Sequence, residues 1–298
     1  MSGGTPRRRR EWGLAYLLIL PAMAIFAVFT FFPFIKNFKL ALYRNPPYPG
    51  LPAHYVGLSQ IGSVLGSTEF HQSLVSTVLF AIMVVPTGLI GGLLLALAAH
   101  REIRGMPIYR TIFCSTVVSS VAVAAVIFGT LMDPVVGLLP WLGINPHPAI
   151  LENPTWALPA VALIAVWQFL GLSFIIMTAG IQSLPDEVLE AARLDGAGSW
   201  SMFWRITVPL LSPTLFFALV VGTIFAFQSF GQIDILIGPQ NAQFTHTNVL
   251  LYYIYQALSV QGDPGLAAVL SIVLFVILFA VTLLQFRFLE KRVTYAGT

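Results

Sequence analysis

Charge is scarce in this 298-residue chain. Only 9% of its residues are Asp, Glu, Lys or Arg, against about 25% in soluble domains. With 57% hydrophobic residues and a mean hydropathy of +0.84, most soluble-enzyme classes are excluded and a polytopic membrane protein is indicated. Cysteine occurs once, at Cys114, so the chain can form neither an internal disulfide nor a thiolate metal cluster. The five histidines are scattered without ligand spacing. Lysine occurs three times, at Lys36, Lys39 and Lys291, and never in a glycine-rich phosphate cradle. A P-loop for ATP is therefore absent from the sequence. The apolar segments hold essentially no acid or histidine at membrane depth, the groups on which proton-coupled transporters rely. Sodium coupling through backbone carbonyls stays open. The net charge of +3 is concentrated at segment ends, and nothing suggests a nucleic-acid partner.

What is abundant is long apolar sequence. Six stretches, near 13–35, 74–98, 111–131, 156–180, 206–231 and 266–288, reach the roughly 20 residues that a spanning helix needs. The expected fold class is all-α, with six transmembrane helices. Arg7, Arg8, Arg9 and Arg10 precede the first stretch. They resemble a signal-peptide n-region, but the apolar run is longer than an h-region and lacks a clear cleavage site, so it reads as an uncleaved span. With the N-terminus inside, twelve arginines and lysines fall in inner segments. Three (Lys36, Lys39 and Arg44) fall in outer ones. The positive-inside rule then places both termini in the cytoplasm of a multi-pass plasma-membrane protein. The expected organisation is a basic N-terminus over 1–12, a membrane domain over 13–288 and a cytoplasmic tail over 289–298. Gly88, Gly91 and Gly92 form a small-residue face in the second span, suited either to a specific helix interface or to routine packing. Prolines in the first outer loop, over 45–57, prevent a regular helix there.

The most polar part of the second half is the inner loop over 183–205. Residues 183–194 read as a short helix. Ser183 and Asp186 fit a capping box, Asp186 and Glu187 favour the helix start, and Arg193 favours its end. Gly196 can supply a left-handed stop. Val188, Leu189, Ala192 and Leu194 leave an apolar stripe. A second helical piece runs through Trp200, Phe203 and Trp204, before Pro209 and Pro213. Such a loop either rests on the membrane surface or lies in a groove of a soluble partner.

Glu190-Ala191-Ala192, two residues, then Asp195-Gly196-Ala197, with Ile206 and Pro209 following, resembles the cytoplasmic loop of membrane subunits of ATP-binding-cassette importers. Six fixed identities arise by chance on the order of 10⁻⁷ per start position. The stretches WQFLGLSFIIMTAGIQSLP, TNVLLYYIYQ and GLAAVLSIVLF are similar to the carbohydrate-type branch of that family. LLQFRFLEKRVTY, the DGAG form of the loop and FAFQSFGQID look closest to the first permease subunit of glycerol-3-phosphate and glycerophosphodiester uptake systems. Two positions depart from the pattern. Ile237-Gly238-Pro239 stands where the family often has Gly-Gly-Pro, and Cys114 to Ser120 lacks a proline common in the third span.

The resemblance implies the type I importer permease fold. It also implies a heterodimer with a second, homologous permease subunit, two ATPase subunits that hold ATP and Mg, and an extracytoplasmic solute-binding protein. It makes Glu190, Ala191, Ala192, Asp195, Gly196 and Ala197 the ATPase-docking positions. It leaves this chain non-catalytic and without a cofactor of its own. For Glu190 a plain i,i+3 pair with Arg193 is the competing reading.

Gln168, Gln228 and Ser229 are uncharged polar groups in apolar runs, suited to a substrate path or to interhelical hydrogen bonds worth about 0.6 kcal/mol. Asp234, Tyr252, Tyr253 and Tyr255 lie towards the outer face. They fit an outer gate or a binding-protein contact, and the tyrosines also fit interfacial anchors. With no lysine or arginine at depth, recognition of a phosphate falls mainly to the binding protein or the partner permease, and a neutral sugar fits the cavity as well. A sugar importer, an ion-coupled secondary transporter and a non-transporting scaffold are the alternative readings.

Overall fold

The computed structural model describes residues 6–44, 52–100, 105–144, 147–238 and 247–292, with side chains from residue 16 to 291. The side chains of Arg7 to Arg10, most of the proline-rich loop, Arg101, Arg104, Pro239 and the tail beyond 292 lie outside the described residues.

The first span is α1 (Pro6–Phe26), a π-helical turn at Ala27–Phe31, and α2 (Phe32–Leu40). A two-residue antiparallel pair, β1 (Tyr43–Arg44) with β2 (His54–Tyr55), and the short α3 (Ser59–Leu65) lead to α4 (Thr68–Ala99). Ser67 caps α4 by accepting from the Phe70 amide at 3.3 Å, which satisfies one of the free N–H groups of the first turn. At its other end the Arg110 guanidinium donates to the Ala99 carbonyl at 2.9 Å, a cation placed at the negative pole of the helix.

The third span departs from the expected single helix over 111–131. It is two helices, α5 (Met106–Val118) and α6 (Val121–Met132), bent by 104°. No proline causes the break. Ser119 and Ser120 are extended, and Ser120 accepts from the Val123 amide at 3.2 Å, so a serine cap restarts the helix in the middle of an apolar run.

After α7 (Leu138–Trp141) comes α8 (Ala157–Gln182), the central helix. Some 61% of its most apolar window is buried, against none for the first span. Its Ala- and Val-rich N-terminal half packs on α4, and Phe169 reaches between α4 and the fifth span. The glycine face of α4 is a specific interface: a Cβ on Gly88 would strike Phe169, and one on Gly92 would lie 2.6 Å from Ser173 Cβ and 2.9 Å from the Phe174 amide nitrogen. Gly222 opposes Phe169 in the same way from the other side. Small residues thus let three helices approach closely where no hydrophobic drive separates helix from lipid.

The inner loop follows as α9 (Asp186–Leu194), α10 (Ser199–Met202), a π-helical turn at Phe203–Thr207 and α11 (Val208–Leu210). The fifth span is α12 (Ser212–Phe227) and, after a break, α13 (Gly231–Leu236). Then come α14 (Leu250–Tyr255) with a π-helical turn at Gln256–Val260, and the last span, α15 (Pro264–Leu289). Counting the bent pair as one, six segments can cross a membrane. Among the described residues the first packs on the others by its last turns, as with Phe34 against Phe275 at 5.4 Å and Asn37 Nδ2 donating to the Ala268 carbonyl. Tyr16 to Phe32 carry apolar side chains exposed all round.

Candidate functional site

The loop built on α9 and a cavity beside the break between α12 and α13 both combine polar chemistry with accessible geometry.

The α9 loop sits at the end of the bundle where α4 and α8 finish, above a cluster of Ala96, Ala99, Ile181 and Leu211. Its start differs from the capping box expected of Ser183 and Asp186. Ser183 Oγ donates to the Gly180 carbonyl at 2.8 Å and closes α8 instead, and extended Pro185 stands before α9 with no side-chain cap. A serine one residue past a helix end lies nearer the carbonyls of the last turn than the next helix's amides, and here it adds a second bond to the Gly180 carbonyl that its own N–H also reaches at 3.2 Å. The end matches expectation. Gly196 has φ +78°. Its N–H donates to the Arg193 carbonyl at 3.1 Å, and the Ala197 N–H donates to the Ala192 carbonyl at 3.0 Å. These are the two bonds of a Schellman motif, which only a left-handed residue at this position permits.

The apolar stripe divides. Ala192 is buried and Leu189 half-buried, so both pack inward, whereas Val188 and Leu194 point outward, Leu194 being 88% exposed. Glu190, Ala191, Asp195 and Gly196 are exposed and Ala197 is half-buried. Among the described residues no ion pair joins Glu190 to Arg193. The loop therefore presents Val188, Ala191 and Leu194 beside Glu190 and Asp195: small apolar contacts flanked by carboxylates. Trp200, Phe203 and Trp204 follow as an edge-to-face group, with the two indoles largely exposed.

The cavity, of about 410 Å³, is lined by Val121, Phe225, Gln228, Ser229 and Gln232 among others. It lies where the break in the third span faces the break in the fifth. Gln228 is exposed, and Ser229 is buried with its Oγ donating to the Phe225 carbonyl at 2.9 Å. Gln168 does not line it. Gln168 Oε1 accepts from Gln232 Nε2 at 2.9 Å, and its Nε2 donates to the Ser119 carbonyl at 3.4 Å. That bond ties α8 to α13 and to the α5–α6 break, so Gln168 holds the wall of the cavity in place. Gln232 is the residue that sequence reasoning missed. It stands four residues after Gln228, and the turn at Phe230 brings it back to the same cavity. Among the described lining residues none is charged.

The outer residues separate into two groups. The Tyr252 hydroxyl donates to the Asp234 carboxylate. Tyr252 stacks on Tyr255 at 5.9 Å, and Tyr255 meets Phe230 at 5.5 Å. Burial, with the neighbouring carboxylate, holds the Tyr252 phenol above its ordinary range. Tyr252 is 1% exposed, which excludes an anchor at the headgroups. Tyr253 turns the other way, towards Glu69 and Gln72 at the start of α4.

Residues 61–295 match the family described as binding-protein-dependent transport system inner membrane component. A relative from Agrobacterium fabrum (strain C58), called sn-glycerol-3-phosphate transport system permease protein UgpA, is 36% identical over 95% of this chain and 96% of its own length. Two solved structures share the fold. A chain of a bacterial ABC transporter involved in the import of the acidic polysaccharide alginate superimposes with a TM-score of 0.82 at 23% identity, over 95% of this chain and 96% of that one. A chain of a bacterial alginate ABC transporter, solved in complex with alginate pentasaccharide-bound periplasmic protein, gives 0.81 at 24%, over 94% of each.

Proposed function

The chain belongs to the family of binding-protein-dependent transport system inner membrane components, and from that premise we propose that it forms one half of the translocation path of an ATP-driven importer. The observation that carries the reading is α9: a short helix held by a Schellman exit, with Glu190, Ala191 and Asp195 turned outward at one end of the bundle. It is shaped to lie in a groove of a cytoplasmic ATPase subunit, which holds the ATP and Mg. The apolar first span, unburied within this chain, suits contact with a second, homologous permease and with lipid. A loaded solute-binding protein docks on the opposite face. Closure of the ATPase dimer, carried through α9, then opens the cavity of Gln228, Ser229 and Gln232 outward, and hydrolysis resets it. The two events are coupled reciprocally in binding free energy.

The substrate we assign is sn-glycerol-3-phosphate or a related glycerophosphodiester, supported by the 36% identical relative of that name. The neutral cavity fits the glycerol hydroxyls, and a sugar is the second reading because the solved relatives belong to an alginate system. Cells that depend on this system should take up labelled sn-glycerol-3-phosphate. Unlabelled glycerophosphocholine, and not maltose, should compete. The reverse order of competition would transfer the assignment to sugars. For orientation, Ser199→Cys and Ser259→Cys are compared in a Cys114→Ser background, since both serines are exposed. An impermeant maleimide added outside should label position 259 only; labelling of 199 alone would invert the topology.

A further inference from the structure

At the end of the bundle remote from α9, a second and smaller pocket of about 180 Å³ is built from the first turns of α4 and from α14. Its lining includes Glu69, Ser73, Asn248, Tyr253 and Gln256. The 32 residues of α4 separate it from the α9 end by about 48 Å, so it lies at the other membrane face. Glu69 is exposed at its mouth, while Ser73 and Asn248 are 1% and 8% exposed in its wall. Among the described residues, Ser73 Oγ and Asn248 Oδ1 are buried without a hydrogen-bond partner. A buried polar atom left unpaired costs about 1–3 kcal/mol, and two in one small pocket mark a place that something else completes.

The lining chemistry selects what that is. No Lys, Arg or His is among the described lining residues, and one carboxylate is, so an anion is repelled and a cation attracted. The Glu69 carboxylate stands at the mouth, and Ser73 Oγ and Asn248 Oδ1 stand in the wall beside the amides of Gln72, Gln256 and Gln261. An alkylammonium offers three donors in a compact head. A metal ion bound by oxygens at about 2.3–2.6 Å would leave most of 180 Å³ unfilled, whereas an ammonium on an extended alkyl stem fills both depth and mouth. Tyr253 supplies an aromatic wall for such a stem, and burial and the charge on Glu69 hold its phenol above its ordinary range.

We infer that this pocket receives the side-chain ammonium of a lysine presented by the solute-binding protein when it docks. The inference rests on the importer reading above and goes beyond it by naming the contact. The test uses the complete importer in lipid nanodiscs and its purified binding protein, with the dissociation constant read by fluorescence anisotropy. Glu69→Gln and, separately, Asn248→Leu should each weaken docking about tenfold or more, with the ATPase rate in the absence of binding protein unchanged. Millimolar n-butylammonium chloride should displace the binding protein from the wild-type complex and lose that effect in Glu69→Gln. n-Butanol, and potassium chloride at equal ionic strength, should not displace it. Unchanged affinity in both variants overturns the inference, as does displacement by calcium chloride but not by butylammonium, which would assign the pocket to a metal ion. Failure of the wild-type complex to bind the protein at all would sink the importer reading and this inference together.

Discussion

Gly196→Val is expected to abolish ATP-dependent uptake while leaving the protein in the membrane at a near-normal level. The cause is conformational rather than steric. A Cβ at Gly196 meets nothing within 4 Å, yet the residue sits at φ +78°, where a β-branched side chain costs roughly 1–2 kcal/mol. Relaxing that strain forfeits the two exit bonds from Gly196 and Ala197, each worth about 1 kcal/mol. By either route about 2 kcal/mol is lost, which lowers the population of the docking exit by roughly 30-fold. The spans are untouched. Gly196→Asn is the informative companion, because asparagine tolerates the left-handed region, and it should keep most of the transport. Uptake, co-purification of the ATPase subunit and membrane abundance are measured together. Wild-type transport by the valine variant, with ATPase bound, would refute the docking role of this loop. Ala192→Asp is a poorer probe: Ala192 is buried against its own chain, so a carboxylate there tests folding. Ala191→Arg, on the exposed side, addresses the partner surface instead.

Gly92→Leu is expected to prevent stable assembly of the bundle. The new side chain would start 2.9 Å from the Phe174 backbone nitrogen, and backbone cannot rotate aside. Overpacking in an ordered core costs about 1–3 kcal/mol where side chains can adjust, and more is expected here. Gly91→Leu, one position along, meets only the flexible end of Leu170 at 3.1 Å and should be milder. Thermal melting in detergent, followed by fluorescence-detected size exclusion, should show Gly92→Leu aggregated or lowered by many degrees and Gly91→Leu close to wild type. Equal melting of all three proteins would mean that the α4–α8 contact is not the packing centre of the fold.

Much of the architecture was legible in the apolar runs, because in a bilayer every spanning segment must satisfy its own backbone and so must be a long helix. Hydropathy located the six segments but not the break in the third. Ser119 and Ser120 are too few to interrupt an apolar average, and only their extended backbone and the Ser120 cap reveal the bend. The exit of α9 was legible because a glycine after a charged helix has one main use there. Its entry was not, because Ser183 had two possible partners and took the nearer. At the cavity, chain position identified Gln228 and Ser229, while the tertiary bond between Gln168 and Gln232 exchanged the roles of a wall residue and a lining residue. The polar pocket at the far end joins Ser73 to Asn248, 175 positions apart (248 − 73), and no local pattern in the sequence brings them together.

We propose that this chain conducts substrate and that an ATPase subunit drives it through α9. The most direct measurement is uptake of labelled sn-glycerol-3-phosphate into proteoliposomes containing this chain alone, or the complete assembly with its loaded binding protein outside and ATP inside. Uptake is predicted only from the complete assembly. It should require hydrolysable ATP, be insensitive to proton and sodium ionophores, and be lost with Gly196→Val. Accumulation by the chain alone under an ion gradient, or by the assembly without ATP, would show that the chain is not driven through α9.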